Sequence, residues 1–119
     1  MRAGISELWV AEIRSEIKGW VAFGPSRDAD ATAVVGELEA IYVAPERWST
    51  GLGLALWLVA RRRLIEHGFS SATLWVLAEN ARAIRFYVEA GFRPDPLSEK
   101  EVSRGGKALK EVRYATFLG

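Results

Sequence analysis

Residues 42–64 read YVAPERWSTGLGLALWLVARRRL. A β-branched and aromatic run ends at Pro45, a short loop closes on Gly51 and Gly53, and a long apolar segment follows. Proline lacks the N–H that a ladder needs, so the strand stops before it. No breaker follows until Gly68, which predicts a helix from about Gly51 to Glu66. Such a helix presents unpaired N–H groups and the positive end of its dipole to the loop, a favourable place for an anion. Gly51 and Gly53 leave out the Cβ atoms that would hold a phosphate off the backbone. Taken alone, the pattern fits a tight strand–helix turn as well as it fits an anion site. Two phosphate loops are excluded by residue type. No Lys-Ser or Lys-Thr follows the glycines as a P-loop needs, and the third glycine of the dinucleotide fingerprint would fall at Leu56.

Outward from this stretch, ELWVAEI (7–13) and GWVAFG (19–24) flank the charged turn RSEIK and predict a β-hairpin. PSRDADATA is a polar connection, and VVGELEAIYV (34–43) is a third strand. SATLWVL (71–77) is a fourth. Asn80 precedes ARAIRFYVEAG, where it can cap a second helix that Gly91 ends. GFRPDP opens a further extended segment, SEKEVSRGGK reads as a hairpin tip, and LKEVRYATFLG as the last strand. Strands precede, separate and follow two helices, so the expected class is α+β (mixed α/β), one domain over residues 1–119.

Composition narrows the function. A net charge of +1 gives no argument for a nucleic-acid or acidic-membrane partner. With no cysteine there is no thiol nucleophile, disulfide or thiolate metal site, and no metal is expected. The one histidine, His67, lies before Gly68 after a basic run and reads as a helix C-terminal residue. Charges interrupt the N-terminal apolar residues, and GLGLALWLVA is too short to span a bilayer, so a cytoplasmic protein is expected.

A second motif, LWVLAENARAIRFYVEAGFRPD (74–95), changes the weight of the first. Together with GELEAIYVAPERWSTGLGLALW it resembles the GNAT superfamily of acyl-CoA-dependent N-acyltransferases. That pattern is a strand ending Y-V-x-P, a pyrophosphate loop Q/R-x-x-G-x-G/A, a strand, then N-x-x-A-x-x-F-Y-x-x-x-G-F. Asn80, Ala83, Phe86, Tyr87, Gly91 and Phe92 match its second part at every position. The resemblance covers roughly Gly36 to Asp95 and implies a central mixed, mostly antiparallel twisted sheet with two main helices. It implies acetyl-CoA as co-substrate, held by the loop Arg47, Trp48, Ser49, Thr50, Gly51, Leu52 and Gly53, with Asn80, Ala83, Phe86 and Tyr87. The main chain of Ile41, Tyr42 and Val43 would pair with the pantetheine amides, and the Val43 N–H could polarise the thioester carbonyl. Two departures stand out. Trp48 occupies the Q/R position, with Arg47 one residue earlier, and the chain opens at the hairpin, where GNAT domains usually carry a strand and two helices first.

Acyl transfer to an amine needs a base, a polarised carbonyl and a proton for the leaving thiolate. Glu37 and Glu39 are two apart on a strand and share a face. The resemblance puts Glu37 first as base, with Glu39 close enough to act through water. Tyr87, a phenol with an ordinary pKa near ~10, is the proton donor expected from the motif. The acceptor is an amine of unspecified class. A catalytically silent CoA-binding or interaction module is the alternative reading. Without an opening strand, ELWVAEI would be an apolar sheet edge, so a homodimer through the N-terminal hairpin or the C-terminal strand is expected, with Trp20 and Trp57 adding exposed aromatic area.

Overall fold

A computed structural model of the chain describes residues 6–119. The part of the reading that fell on Met1–Ile5, the start of the N-terminal segment, lies outside them. Thr73–Thr116 forms one compact unit; the chain before it, with Phe117–Gly119, forms another. The class is α+β, a mostly antiparallel sheet with two main helices, as expected.

The first unit is built on strands β1 (Glu7–Ile13), β2 (Glu16–Pro25) and β3 (Val35–Val43), followed by a single 3-10 turn at Pro45–Arg47 and helix α1 (Leu52–Glu66). β1 and β3 each pair antiparallel with β2. The β1–β2 turn is shorter than RSEIK: only Arg14 and Ser15 leave the ladder, both left-handed at φ 53° and 68°. Positive φ at both central residues is what a two-residue hairpin with native twist requires, and here no glycine supplies it. Glu16, Ile17 and Lys18 belong to β2.

Helix α1 covers one face of these strands. Val21, Phe23 and Leu38 are buried, as are Leu56, Trp57, Ala60 and Leu64 of the helix. Gly19 shows how closely α1 lies: a Cβ there would stand 2.8 Å from the Tyr42 carbonyl oxygen and 3.0 Å from Leu56 Cδ1. Trp57 is 2 % exposed, which corrects its expected place on an aromatic surface. It sits on the core side of a helix, and truncating such a side chain to alanine costs about 3–5 kcal/mol.

A β-bulge shapes the opposite face. Ala22 pairs with Ala40 but Phe23 pairs with Leu38, so Glu39 is the extra residue of β3. The bulge turns Leu38 inward with Phe23 and leaves Glu37 opposite Gly24. A Cβ on Gly24 would lie 3.1 Å from Glu39 Oε2. Glu37 and Glu39 therefore share the face turned away from α1.

The second unit holds strands β4 (Ser71–Leu77), β5 (Arg93–Arg104) and β6 (Lys107–Phe117) in the order β4-β6-β5, with helix α2 (Ala81–Glu89). β5 and β6 pair antiparallel around the glycine tip Gly105–Gly106, with φ 58° and 79°. SEKEVSR is thus strand, and the expected hairpin tip shrinks to the glycine pair. Leu74, Val76, Phe92 and Tyr114 are buried. Lys100 Nζ stands 4.2 Å from the Trp75 ring centroid and the Arg113 guanidinium 5.5 Å from it.

Candidate active site

The loop before α1 is held by its own side chains. The Trp48 indole N–H donates to the Val43 carbonyl at 2.9 Å, and Thr50 Oγ1 donates to the Arg47 carbonyl at 2.5 Å. Ser49 and Gly51 take left-handed φ of 62° and 89°. The Gly51 turn leads straight into the helix. A Cβ at Gly51 would meet nothing within 4 Å, so the space over the turn is open. No side chain caps α1, and no acidic residue stands in its first turn. The Ala55 N–H donates to the Gly51 carbonyl at 3.0 Å, so the N–H groups of Leu52, Gly53 and Leu54 precede the first N–H with a helical acceptor. Unpaired donors, the positive end of the dipole and a bare backbone suit a pyrophosphate. The indole N–H of Trp48 is turned to β3, so at the Q/R position of the family pattern it is committed to the Val43 carbonyl.

β3 carries the rest of this half. The Ala44 N–H donates to the Lys18 carbonyl at 2.8 Å, which continues the β2–β3 ladder one residue past Val43. Alternation along an antiparallel strand then turns the Val43 N–H to the other edge of β3, away from β2. Tyr42 is half-exposed and stacks on Trp20 at 6.2 Å between centroids. Glu37 is 4 % exposed. Its Oε2 accepts from Arg27 Nη2 at 2.8 Å, and its Oε1 from the Arg27 main-chain N–H at 2.9 Å and from Nε at 3.4 Å. Glu39 is half-buried, and its Oε2 accepts from Ser6 Oγ at 2.7 Å. Neither Arg27 nor Ser6 carried a signal in the sequence. A polar loop gives no hint that its one basic residue returns to a strand position ten residues later.

The second unit presents the other motif. Asn80 Oδ1 accepts from the Ala83 N–H at 3.1 Å, so the expected cap is formed and the amide NH2 is left over. Phe86 and Tyr87 lie on α2, half-buried, with Ala83 a turn earlier. The Tyr87 ring meets Phe86 edge-on at 5.5 Å and Phe92 at 6.0 Å. Burial raises the Tyr87 pKa above its ordinary value of 10.0 by disfavouring the phenolate. Gly91 ends α2 at φ 111°. Glu37, Glu39, Ile41–Val43 and Arg47–Gly53 thus lie in the first unit, and Asn80, Ala83, Phe86 and Tyr87 in the second. Among the described residues no group of three or more His, Asp or Glu side chains gathers at metal-holding spacing.

These features are those of an acyltransferase scaffold, and comparison agrees. The profile of the Acetyltransferase (GNAT) family matches residues 2–92, and the chain belongs to that family. It is similar to YuaI of Bacillus subtilis (strain 168), described as an uncharacterized N-acetyltransferase: 36 % identical over 99 residues, covering 83 % of this chain and 55 % of the relative. A mycothiol acetyltransferase of Parafrankia sp. (strain EAN1pec) is 44 % identical over 59 residues, 50 % of this chain and 18 % of the relative. The chain thus spans about half of YuaI and a smaller part of the mycothiol enzyme. Among solved structures, nourseothricin acetyltransferase superposes with a TM-score of 0.80 at 25 % identity, covering 96 % of this chain and 66 % of its own. The PaiA N-acetyltransferase of Thermoplasma acidophilum, solved with coenzyme A, shares the fold with a TM-score of 0.72 at 20 % identity, over 94 % of this chain and 60 % of its own. No helix among the described residues is long and apolar enough to cross a membrane.

Proposed function

We propose that the 119 residues form one acetyltransferase domain that moves an acetyl group from acetyl-CoA to a primary amine by direct transfer. The observation that carries this reading is the open, uncapped turn at Gly51, in a loop that Trp48 ties to Val43 at the end of the strand bearing two carboxylates. The loop main chain from Arg47 to Gly53 holds the pyrophosphate. Ile41–Val43 pair with the pantetheine amides, and Asn80, Ala83 and Phe86 also serve cofactor binding. The amine nitrogen attacks the thioester carbonyl carbon, a C–N bond forms and the C–S bond breaks. A β3 carboxylate, Glu37 or Glu39, accepts the proton the amine loses, the Val43 N–H stabilises the developing oxyanion, and Tyr87 gives its phenolic proton to the departing thiolate. The protein works in the cytoplasm.

A homodimer goes with this reading. Leu8, Val10 and Ile17 are exposed on the β1–β2 hairpin, and β1 ends the strand order of the first unit, so the hairpin offers an apolar edge to a second copy. Calorimetric titration with acetyl-CoA tests the binding half of the proposal. Saturable binding with a raised melting temperature is expected, since ligand that binds only the folded state stabilises it. Absence of binding at millimolar acetyl-CoA would reject it.

A further inference from the structure

The two carboxylates of β3 are not equivalent. Glu37 is buried, and both its oxygens are occupied by a side chain and a main-chain N–H of one residue, Arg27. Glu39 is the bulged residue, half-buried, with one hydroxyl on one of its oxygens. We propose that Arg27 and Ser6 divide the labour between them: Arg27 locks Glu37 as a fixed support of the strand, and Ser6 positions Glu39, which takes the proton from the amine. This rests on the acetyltransferase reading above, and it reverses the order in which family position alone ranks the two glutamates.

The chemistry favours this division. A general base needs an open lone pair within reach of the amine, directly or through one water. Glu37 holds a bidentate guanidinium and an N–H, and stripping Arg27 from a carboxylate with so little solvent access would leave a buried charge unpaired. Glu39 keeps Oε1 free of any partner among the described contacts, while Ser6 fixes Oε2. Gly24 makes this possible. A Cβ there would stand 2.7 Å from Ser6 Oγ as well as 3.1 Å from Glu39 Oε2, so any larger residue would drive the two apart. Arg27, on the loop after β2, is the charged group that bears on both glutamates, with Asp28 beside it.

Carbodiimide-driven amidation with glycine ethyl ester, mapped by mass spectrometry, reads the occupancy of each carboxylate whether or not any amine is acetylated. Glu39 should be modified and Glu37 protected in the native chain, and Arg27→Ala should expose Glu37 to modification while Arg27→Lys restores part of the protection. Equal modification of both glutamates, or protection of Glu39 alone, overturns the division. The pH–rate profile then reads the roles. Glu39→Gln should lower turnover at least a hundredfold and remove the acid limb. Ser6→Ala should lower turnover with acetyl-CoA affinity unchanged, and Ser6→Thr should restore part of it. Glu37→Gln should keep the acid limb in place while lowering the melting temperature. An acid limb lost in Glu37→Gln and kept in Glu39→Gln contradicts the proposal. If the native chain releases no thiol with any amine, the acetyltransferase reading fails, and the amidation pattern still decides the Arg27–Glu37 and Ser6–Glu39 assignments.

Discussion

The Trp48 indole N–H donates to the Val43 carbonyl, and this bond ties the anion loop to the end of the strand that would polarise the thioester. One side chain thereby links the two parts of the proposed acetyl-CoA site. Trp48→Phe keeps the ring and removes the donor. A neutral hydrogen bond of this kind is worth about 1 kcal/mol, so acetyl-CoA affinity should fall by a few-fold in calorimetry, with folding intact. Unaltered affinity would mean the loop holds its shape without the bond.

At Gly51 a larger effect is expected. Gly51→Asp forces a side chain to adopt φ 89° and sets a negative charge at the helix N-terminus proposed to hold the pyrophosphate. Acetyl-CoA binding should weaken by at least tenfold, while the absence of steric contact at that Cβ keeps the fold intact. Binding at native strength in the folded variant would place the pyrophosphate elsewhere.

Tyr87→Phe removes one hydroxyl from α2 and leaves the ring against Phe86 and Phe92. Turnover should drop by about 10²-fold or more, the usual range for a lost general acid, with acetyl-CoA affinity unchanged. Burial raises the Tyr87 pKa, so the protonated, active form persists past the ordinary tyrosine value. The alkaline loss of activity attributable to this residue should therefore lie above pH 10. A limb below that value, or full activity in the phenylalanine variant, assigns the proton to another donor.

Away from the site, Glu7 fastens β1 to the C-terminal end of α1. Its carboxylate accepts from Arg63 Nε at 3.0 Å and Nη2 at 2.8 Å, and His67 Nε2 lies 2.5 Å from it. The Arg63 hydrogen bonds lead in lowering its pKa from 4.5 to about 2. A depressed carboxylate pKa contributes stability that is complete above the unfolded value of 4.5 and is lost as pH falls through the folded value near 2. The pair sits at the rim, where solvent screening reduces its contribution. Glu7→Gln should lower the melting temperature at pH 7 by a few degrees, and the difference should vanish towards pH 2. A difference that persists at pH 2 would assign the loss to packing.

Sedimentation at micromolar concentration checks the dimer. Leu8 and Val10 are 63 % and 50 % exposed on β1, and the double substitution Leu8→Lys with Val10→Glu should shift a concentration-dependent dimer to monomer. A native chain that sediments at 13.2 kDa without concentration dependence rules out the interface.

The helices and most strand limits were legible in the sequence because glycine, proline and asparagine act locally. Gly68 and Gly91 stop α1 and α2 at positive φ, and Asn80 caps α2 through its own side chain. Long-range partners were not legible. Arg14–Ser15 makes a hairpin turn that Asn-Gly would have advertised, and the bulge at Glu39 depends on the register against Ala22 and Phe23. The pairing of Arg27 with Glu37 follows from where the loop after β2 returns, which no spacing encodes. For the same reason Trp57, one tryptophan among five, read as surface yet lies in the core.

The central claim is transfer, and it is tested most directly by incubating the protein with acetyl-CoA and a panel of primary amines while following free thiol and the mass of each amine. The account predicts thiol release that depends on one class of amine, matched mole for mole by an amine heavier by one acetyl group. Thiol release no faster than in the protein-free control with every amine, in a chain that binds acetyl-CoA, would contradict it and leave a CoA-binding module in its place.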